Sequence, residues 1–396
     1  MNILCVTPYY KPAFVYGGPA RSVPSLCEAM VKHGAQVTVF TTNANGPGSV
    51  LGVPTSQPLA MGGVDVYYFP VSWPLARIVP FYSPALREAC SRRVAQFDLV
   101  YIVGNWTYPV LAAAKSSLRE SIPYVASPRG SFMDWSMGEK AVKKRLYLAF
   151  LERRTIEGAA AIHATSSLEE QQLRGWHFGP MVTVVPNGID MAPFAELPQR
   201  GKLRHSLGIP HIGTLSLFVG RLHKEKRLDL IVAAFATLAQ TVLDAHMLIV
   251  GWDQDGSGKA AQEQARELGL SHRVHFAGQL TGTGLVQAYA DADLLVLLSH
   301  RENFGMVAIE AMAVGLPVLL AKEVGLAEEV EQAGAGLVVT AVPDEIGTAW
   351  RKLLSNEDLR KAMGSRGKTL VRDRFTSDVV ATSMIELFAA VLRRGQ

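Results

Sequence analysis

Two carboxylates eight positions apart, Glu302 and Glu310 in the segment ENFGMVAIE, flank the place where a buried strand is expected to give way to a helix. The run ADADLLVLLS ahead of them reads as a parallel strand covered on both faces. Phe304 to Val314 has the length and apolar density of a helix closed by Gly315-Leu316-Pro317. Glu302 then falls in the connecting loop and Glu310 about two turns into the helix. A helix that starts just past a strand's carboxyl end offers free N–H groups and a positive dipole end, which suit phosphate or sugar oxygens. Ionised carboxylates accept hydrogen bonds from hydroxyl groups. On spacing alone the pair also reads as a loop cap and a solvated glutamate.

Cations gather at a second junction of the same kind. In GRLHKEKRLDLIVAAF a strand is expected to end at Val219-Gly220, and Arg221, Lys224, Lys226 and Arg227 precede the next helix. Arginine offers a planar fork and lysine a compact point charge, so such a cluster can neutralise a diphosphate. Charge runs are more often solvated surface, and only the two glutamates tip the reading toward chemistry. Near the start of the chain, Gly17-Gly18 precedes a helical stretch from Arg21 to His33, where backbone free of side chains can approach an anion. A plain turn fits those glycines equally.

The elements that must hold these residues alternate. Strand-like runs at Asn2–Thr7, Gln36–Thr42, Val64–Phe69, Leu99–Val103, Tyr124–Ser127, Ala160–Ala164 and Val182–Val185 are separated by helical segments. The pattern restarts at Thr214–Val219, Ala245–Val250, Arg273–Ala277, Leu294–Leu298, Pro317–Ala321 and Gly336–Val339. Alternation of this kind implies parallel sheets covered by helices on both faces. Pro, Gly and Asn break both periodicities in PNGIDMAPFAELPQRGK. The expected division is therefore a domain over 1–195 and a domain over 196–375, each Rossmann-like and doubly wound, facing a central cleft.

Composition narrows the classes. The chain has 396 residues, 48% hydrophobic and 19% charged, which describes a globular protein with two full cores. No run is long enough to span a bilayer, and MNILCVTPYYKP reads as a first strand and not as a leader, so a cytoplasmic location is expected. Cys5, Cys27 and Cys90 are few, odd in number and far apart, without zinc or redox spacing. A net charge of +4 does not argue for nucleic acid. Dinucleotide and P-loop fingerprints are incomplete: Gly17-Gly18-Pro19 lacks the glycine spacing, and Gly258-Lys259 is followed by Ala260.

GRLHKEKRLDLIV, VHFAGQL and ADADLLVLLSHRENFGMVAIEAMAVGLPVL, in that order, resemble the nucleotide-binding domain of the retaining family-four glycosyltransferases with the GT-B architecture. YGGPARSVPSL and VVPNGID are similar to the same family. The resemblance implies an α/β fold with an N-terminal acceptor-binding domain and a C-terminal donor-binding domain. It also implies a final helix, about 376–396, that packs back on the first domain. It implies that Arg221 and Lys226 bind the donor diphosphate without a metal ion or other cofactor. Glu302 would face the donor sugar and Glu310 accept the ribose hydroxyls. Asn303, Phe304, Gly305 and Met306 would contact sugar and phosphate, Gly278 and Leu280 the base, and Gly17 and Gly18 the donor from the other domain. Asp291-Ala292-Asp293 has the letters of an acidic metal motif but reads better as flanking the buried strand.

Many members of that family carry a histidine in the stretch that corresponds to Val125–Gly130, and this chain does not. SPRGSF offers Arg129 instead, for the donor sugar, a phosphate or an acidic acceptor. Asn105 and Trp106, after an earlier strand, would complete the acceptor side. His163 reads equally as structural or functional. Basic residues from Arg129 through Lys140, Lys143, Lys144, Arg145, Arg153 and Arg154 alternate with Phe132, Trp135, Tyr147 and Phe150. That composition suits a membrane surface or a lipid-diphosphate acceptor, although an exposed helix with aromatics facing a core fits slightly better. A second apolar loop runs from Trp73 to Pro84. The expected activity is retaining transfer of a hexose, glucose foremost, in polysaccharide or glycolipid assembly of the bacterial exopolysaccharide type. The donor is a nucleotide sugar, UDP-linked by preference and GDP-linked as the alternative, and the acceptor a saccharide or lipid-linked saccharide. Peripheral membrane contact is part of that expectation. The rivals are a GT-B-like UDP-sugar epimerase and a non-catalytic nucleotide-sugar-binding partner subunit.

Overall fold

The computed structural model describes residues 1–73, 75–133, 136–137, 152–210 and 213–394. The basic segment through Lys140, Lys143, Lys144, Arg145, Tyr147 and Phe150, with Trp135, lies outside the described residues. The chain divides into two units, Met1–Gly188 with Ser377–Gln396, and Ile189–Thr376. The first division falls ahead of position 195. Ile189 donates its N–H to the Phe375 carbonyl at 2.9 Å, and Met191 and Phe194 pack on the core of the second unit.

The first unit is built on β1 (Asn2–Val6), β2 (Gln36–Thr42), β3 (Leu59–Met61), β4 (Val64–Phe69), β5 (Leu99–Val103), β6 (Tyr124–Ser127), β7 (Ala161–Ala164) and β8 (Val182–Val184). Their order in the sheet is β3-β4-β2-β1-β5-β6-β7-β8. Every pairing is parallel except β3 with β4. The antiparallel β3 was not expected, because three residues ahead of Gly62-Gly63 are too few to show a period. Successive residues of β1 enter opposite cores, Ile3 and Cys5 on one face, Leu4 and Val6 on the other. Both faces are dry, which explains the unbroken apolar runs. The Ile3 face is covered by the helix Pro19–Lys32 and by the last helix, Ser377–Arg394, which buries Met384, Leu387 and Phe388. The helices Pro84–Arg93 and Tyr108–Glu120 cover the other face through Leu86, Cys90 and Val110.

The second unit contains β9 (Thr214–Val219), β10 (Ala245–Val250), β11 (Val274–Gly278), β12 (Leu294–Leu297), β13 (Val318–Ala321) and β14 (Gly336–Val339). They form a parallel sheet in the order β11-β10-β9-β12-β13-β14. Each unit is thus an α/β layer structure built on a largely parallel sheet, as the alternating pattern of the sequence implies.

The helix Met306–Val314 ends at Gly315 and is seated against the helix Glu357–Arg374. A Cβ at Gly364 would lie 1.9 Å from the Gly315 carbonyl oxygen, a backbone atom with little room to yield. Gly364→Ala is therefore expected to lower stability by about 1–3 kcal/mol through overpacking. Urea unfolding of the variant checks this, and an unchanged midpoint would show that the helices can separate freely.

Candidate active site

Strand order fixes where a ligand can sit in each unit. In the second unit β9 and β12 are neighbours, yet the chain leaves them in opposite directions, toward β10 and β13. Such a reversal opens a crevice beyond the carboxyl ends of the two strands. Arg221 and the single turn Lys224–Lys226 follow β9, and the segment from Ser299 to Gly305 follows β12. Lys226 Nζ forms an ion pair with Glu302 Oε2, joining the two loops. Arg221 is exposed, and its Nη1 donates to Gln254 Oε1 at 2.8 Å. Of the expected basic pair, only Lys226 is brought to Glu302.

The Glu302 loop is held from the side of β13. Gly325 donates its N–H to the Glu302 carbonyl at 2.9 Å, and Leu326 to that of Phe304 at 3.1 Å. Phe304 is buried and its ring meets Phe375 edge-on, with centroids 6.0 Å apart. Gly305 has φ +104°, a left-handed conformation that glycine adopts without a Cβ penalty. The helix consequently starts at Met306, two residues later than expected, and Glu310 is its fifth residue, about one turn in. Glu310 Oε2 accepts the Tyr289 hydroxyl at 2.6 Å. Asn303 and Met306 are half-buried beside these groups in sequence. Ser299 Oγ and His300 Nδ1 are buried without a hydrogen-bond partner, which is unusual unless a ligand or water completes them.

Gly278 ends β11, whose place is two strands from β9, and Leu280 packs partly on the core. Asp291 and Asp293 are framework. Asp291 accepts the backbone N–H groups of Gly201, Leu203 and Arg204, while Asp293 accepts from Leu215 N and pairs with Arg204 and Arg200. Among the described residues no cluster of three metal-ligating side chains occurs.

In the first unit the reversal lies between β1 and β5. Gly17 and Gly18 follow β1, and Gly18 is the N-cap of the helix Pro19–Lys32, which starts earlier than the expected Arg21 because Pro19 suits a first helical turn. Asn105 and Trp106 follow β5, Arg129 follows β6, and His163 lies in β7. Arg129 Nη2 donates to the Tyr101 hydroxyl at 2.8 Å, and its Nη1 donates to Asn187 Oδ1. The Tyr101 hydroxyl lies 2.8 Å from His163 Nδ1, and His163 Nε2 lies 2.7 Å from the Val185 carbonyl. Arg129 therefore sits at the end of a buried polar chain. Its φ of +54°, like the +60° of Trp106, is a left-handed conformation of a non-glycine residue, a strain that concentrates at functional sites.

Burial, with the Arg129 charge as a second cause, pushes the His163 imidazole down to about 3. The neutral ring can accept from one partner while donating to the other. Glu152 is fully buried, and one of its carboxyl oxygens accepts the Trp106 N–H. Its second oxygen has no partner, nor has the side-chain amide of Asn105. Burial raises the Glu152 carboxyl to about 7 against the lowering effect of that single N–H. Glu169 is likewise buried and accepts from Gly130 N, Thr165 N and Thr165 Oγ1.

Tyr101, Glu152, Glu169, Asn187, Gln254 and Tyr289 were not expected in these roles. Asn187 lies in VVPNGID, so a signal was present there. Tyr101 is a polar-tipped ring in an otherwise apolar buried strand, and Glu152 belongs to no readable pattern.

Family profiles match both units. The glycosyl transferase 4-like domain matches residues 17–188 and the glycosyl transferases group 1 domain matches residues 199–370. An uncharacterized glycosyltransferase of Methanocaldococcus jannaschii is 27% identical over 98% of both chains. A D-inositol 3-phosphate glycosyltransferase of Segniliparus rotundus is 26% identical over 96% of this chain and 86% of its own. Among solved structures, sucrose-phosphate synthase from Thermosynechococcus elongatus has a TM-score of 0.75 at 21% identity, over 99% of each chain. Anabaena HepE in complex with UDP and glucose has a TM-score of 0.74 at 21% identity, over 98% of this chain and 100% of its own.

The buried titratable groups set a pH dependence. The folded-state value of His163 is depressed, so its contribution is complete above the unfolded value of 6.5 and is lost as pH falls toward about 3. Glu152 has the opposite sign: its contribution is complete below 4.5 and is lost as pH rises through about 7. His163→Gln should flatten the acid-side slope of stability by about 1.4 kcal/mol per pH unit, with His246, lowered to about 4, and His275 and His300, also lowered by burial, among the groups that sustain the remainder. Urea unfolding at stepped pH reads the slope, and no change in the variant would contradict the burial of that ring.

Proposed function

We propose that this chain, which belongs to the group 1 glycosyltransferases of the GT-B type, moves a hexose, glucose foremost, from a UDP-sugar to a saccharide or lipid-linked saccharide with retention of configuration. The observation that carries this reading is the junction of Lys226 and Glu302 at the reversal between β9 and β12, ahead of the helix that bears Glu310.

Lys226 offers a fixed positive charge to the donor diphosphate, and Arg221 supplies a second after leaving Gln254. Glu310, which accepts the Tyr289 hydroxyl, is assigned to the ribose hydroxyls, for which a carboxylate is an acceptor. Glu302 accepts from hydroxyls of the sugar, and the backbone at Asn303, Phe304 and Gly305 completes the cradle, with Met306 beside it. Gly278 and Leu280 are assigned to the base. As the C1–O bond to the diphosphate breaks, negative charge grows on the leaving oxygen, and prepositioned cations stabilise it without reorganising. The acceptor hydroxyl bonds to C1 on the same face, and its proton passes to the departing diphosphate. No metal ion is required in this reading, because lysine and arginine hold that charge.

Arg129, Asn105 and Trp106 are assigned to the acceptor side. The Tyr101–His163 pair fixes the Arg129 guanidinium, so the charge stays in place when an acceptor binds. D-inositol 3-phosphate glycosyltransferases among the relatives, and HepE bound to UDP and glucose among the structures, support a UDP-sugar and a polyhydroxyl acceptor.

A thermal-shift screen against UDP, GDP and ADP and their sugars, without added metal, is expected to show a selective rise with UDP and UDP-glucose. Lys226→Ala should lower kcat by about 10²–10³-fold, the scale of losing one stabiliser of developing negative charge, with little change in stability. EDTA should leave turnover intact, and the product anomer should match the donor by NMR. Selective stabilisation by GDP would reassign the base. No response to any nucleotide, with or without magnesium, would remove the donor site from these residues.

A further inference from the structure

Arg129 carries a charge that the first unit does not neutralise. An arginine side chain stays ionised at any pH a protein meets, so its charge must be met by water, by dipoles or by an anion. Arg129 is partly buried, and its guanidinium meets two neutral acceptors: Nη2 donates to the Tyr101 hydroxyl at 2.8 Å, and Nη1 donates to Asn187 Oδ1. Among the described residues it forms no ion pair. Its Nε is buried and has no hydrogen-bond partner. A guanidinium has more N–H donors than these two contacts use.

The support under that charge is built to stay neutral. The Tyr101 hydroxyl lies 2.8 Å from His163 Nδ1, and His163 Nε2 lies 2.7 Å from the Val185 carbonyl. Both rings are fully buried, and burial raises the phenol and lowers the imidazole, so neither becomes a counter-ion. The backbone is held as firmly. Ser131 N and Oγ both donate to the Pro128 carbonyl, at 3.3 and 2.6 Å, and Gly130 N donates to Glu169 Oε1. Inside that turn Arg129 keeps its left-handed φ of +54°, a conformation that persists where the surroundings impose it. The carboxylate at the turn, Glu169, accepts from Gly130 and Thr165 and forms no ion pair with Arg129.

A neutral sugar hydroxyl needs no such arrangement, since the uncharged amide of an asparagine both donates and accepts. A fixed guanidinium with unused N–H groups matches the paired oxygens of a carboxylate or a phosphate. On the glycosyl-transfer reading above, on which this step rests, Lys226 and Arg221 already serve the donor diphosphate. A fixed positive charge beside the donor sugar would oppose the positive character that its ring gains as the C1–O bond breaks. We propose that Arg129 binds an anionic group of the acceptor, so that the sugar receiving the hexose bears a carboxylate or a phosphate.

Titration calorimetry of the full chain with saturating UDP compares glucose, glucuronate and glucose 6-phosphate as acceptor-site probes. At least one of the two anions is expected to bind about tenfold or more tightly than glucose, the scale of one charge-assisted hydrogen bond. Whichever anion does so identifies the group as carboxylate or phosphate. Arg129→Gln should abolish the preference, and Arg129→Lys, which keeps the charge but not the planar fork, should retain part of it. Circular dichroism establishes that the variants are folded, and the comparison of the three sugars on the unaltered chain decides the matter even if they are not. Equal binding of all three sugars, no detectable binding of either anion, or a preference that survives Arg129→Gln would overturn the inference. Thermal stabilisation by UDP is read separately: its absence removes the donor assignment, whereas its presence without an anion preference removes this proposal alone.

Discussion

Parallel pairing of β9 with β12, with Leu294 opposite Ser216 and Leu295 opposite Leu217, is the constraint on which the rest of the second unit depends. Because the chain leaves the two strands in opposite directions, no helix crosses above their carboxyl ends. The space left there is bounded by two loops that a single ion pair can span, and Lys226 with Glu302 spans it. The same logic governs the first unit, where β1 and β5 bring Gly17 and Asn105 to one rim. Packing on both faces keeps these edges from shifting. Ser216, fully buried in β9, is tied by a 2.8 Å hydrogen bond to the indole of Trp350, so even the polar positions of the sheet are anchored from the helical layer.

The charges at these rims differ in how they are satisfied. Lys226 and Glu302 neutralise one another while keeping 13% and 21% of their side chains exposed, so neither bears the full cost of an isolated buried ion. An arriving anion would find the lysine already oriented and would compete with a carboxylate for it, which is a route to selectivity as well as to affinity. In the first unit the solution is a chain of neutral partners. A positive guanidinium leans on a phenol and an imidazole that burial keeps uncharged, so no counter-ion is spent on holding it.

Much of this was legible in the sequence, and the reasons differ by residue. The sheets could be read because both faces are buried, which writes each strand as an apolar run such as Leu99–Val103. Glu302, Glu310 and Lys226 could be read because they sit at junctions where an apolar run ends and a helix starts. Arg221 could be placed on its loop, but its present partner, Gln254, comes from the loop after β10 and no local pattern links the two. Glu152 was invisible for a different reason: its environment is made by Trp106, far away in the chain, and a lone glutamate looks like any surface residue until its burial is known. The start of the helix at Met306 turned on the left-handed backbone of Gly305, a conformation the sequence permits without announcing.

The last helix, Ser377–Arg394, belongs to the unit that the first 188 residues begin. Its Met384, Leu387 and Phe388 fill the core beside Ile3, Cys5 and Tyr101. During synthesis, then, the first unit to emerge is the last to be completed. The whole of Ile189–Thr376 leaves the ribosome before the residues that seal the Ile3 face exist. An unfinished apolar surface must wait through that interval, open to solvent and to chaperones, and loss of the final 20 residues, Ser377–Gln396, would leave it unfinished for good.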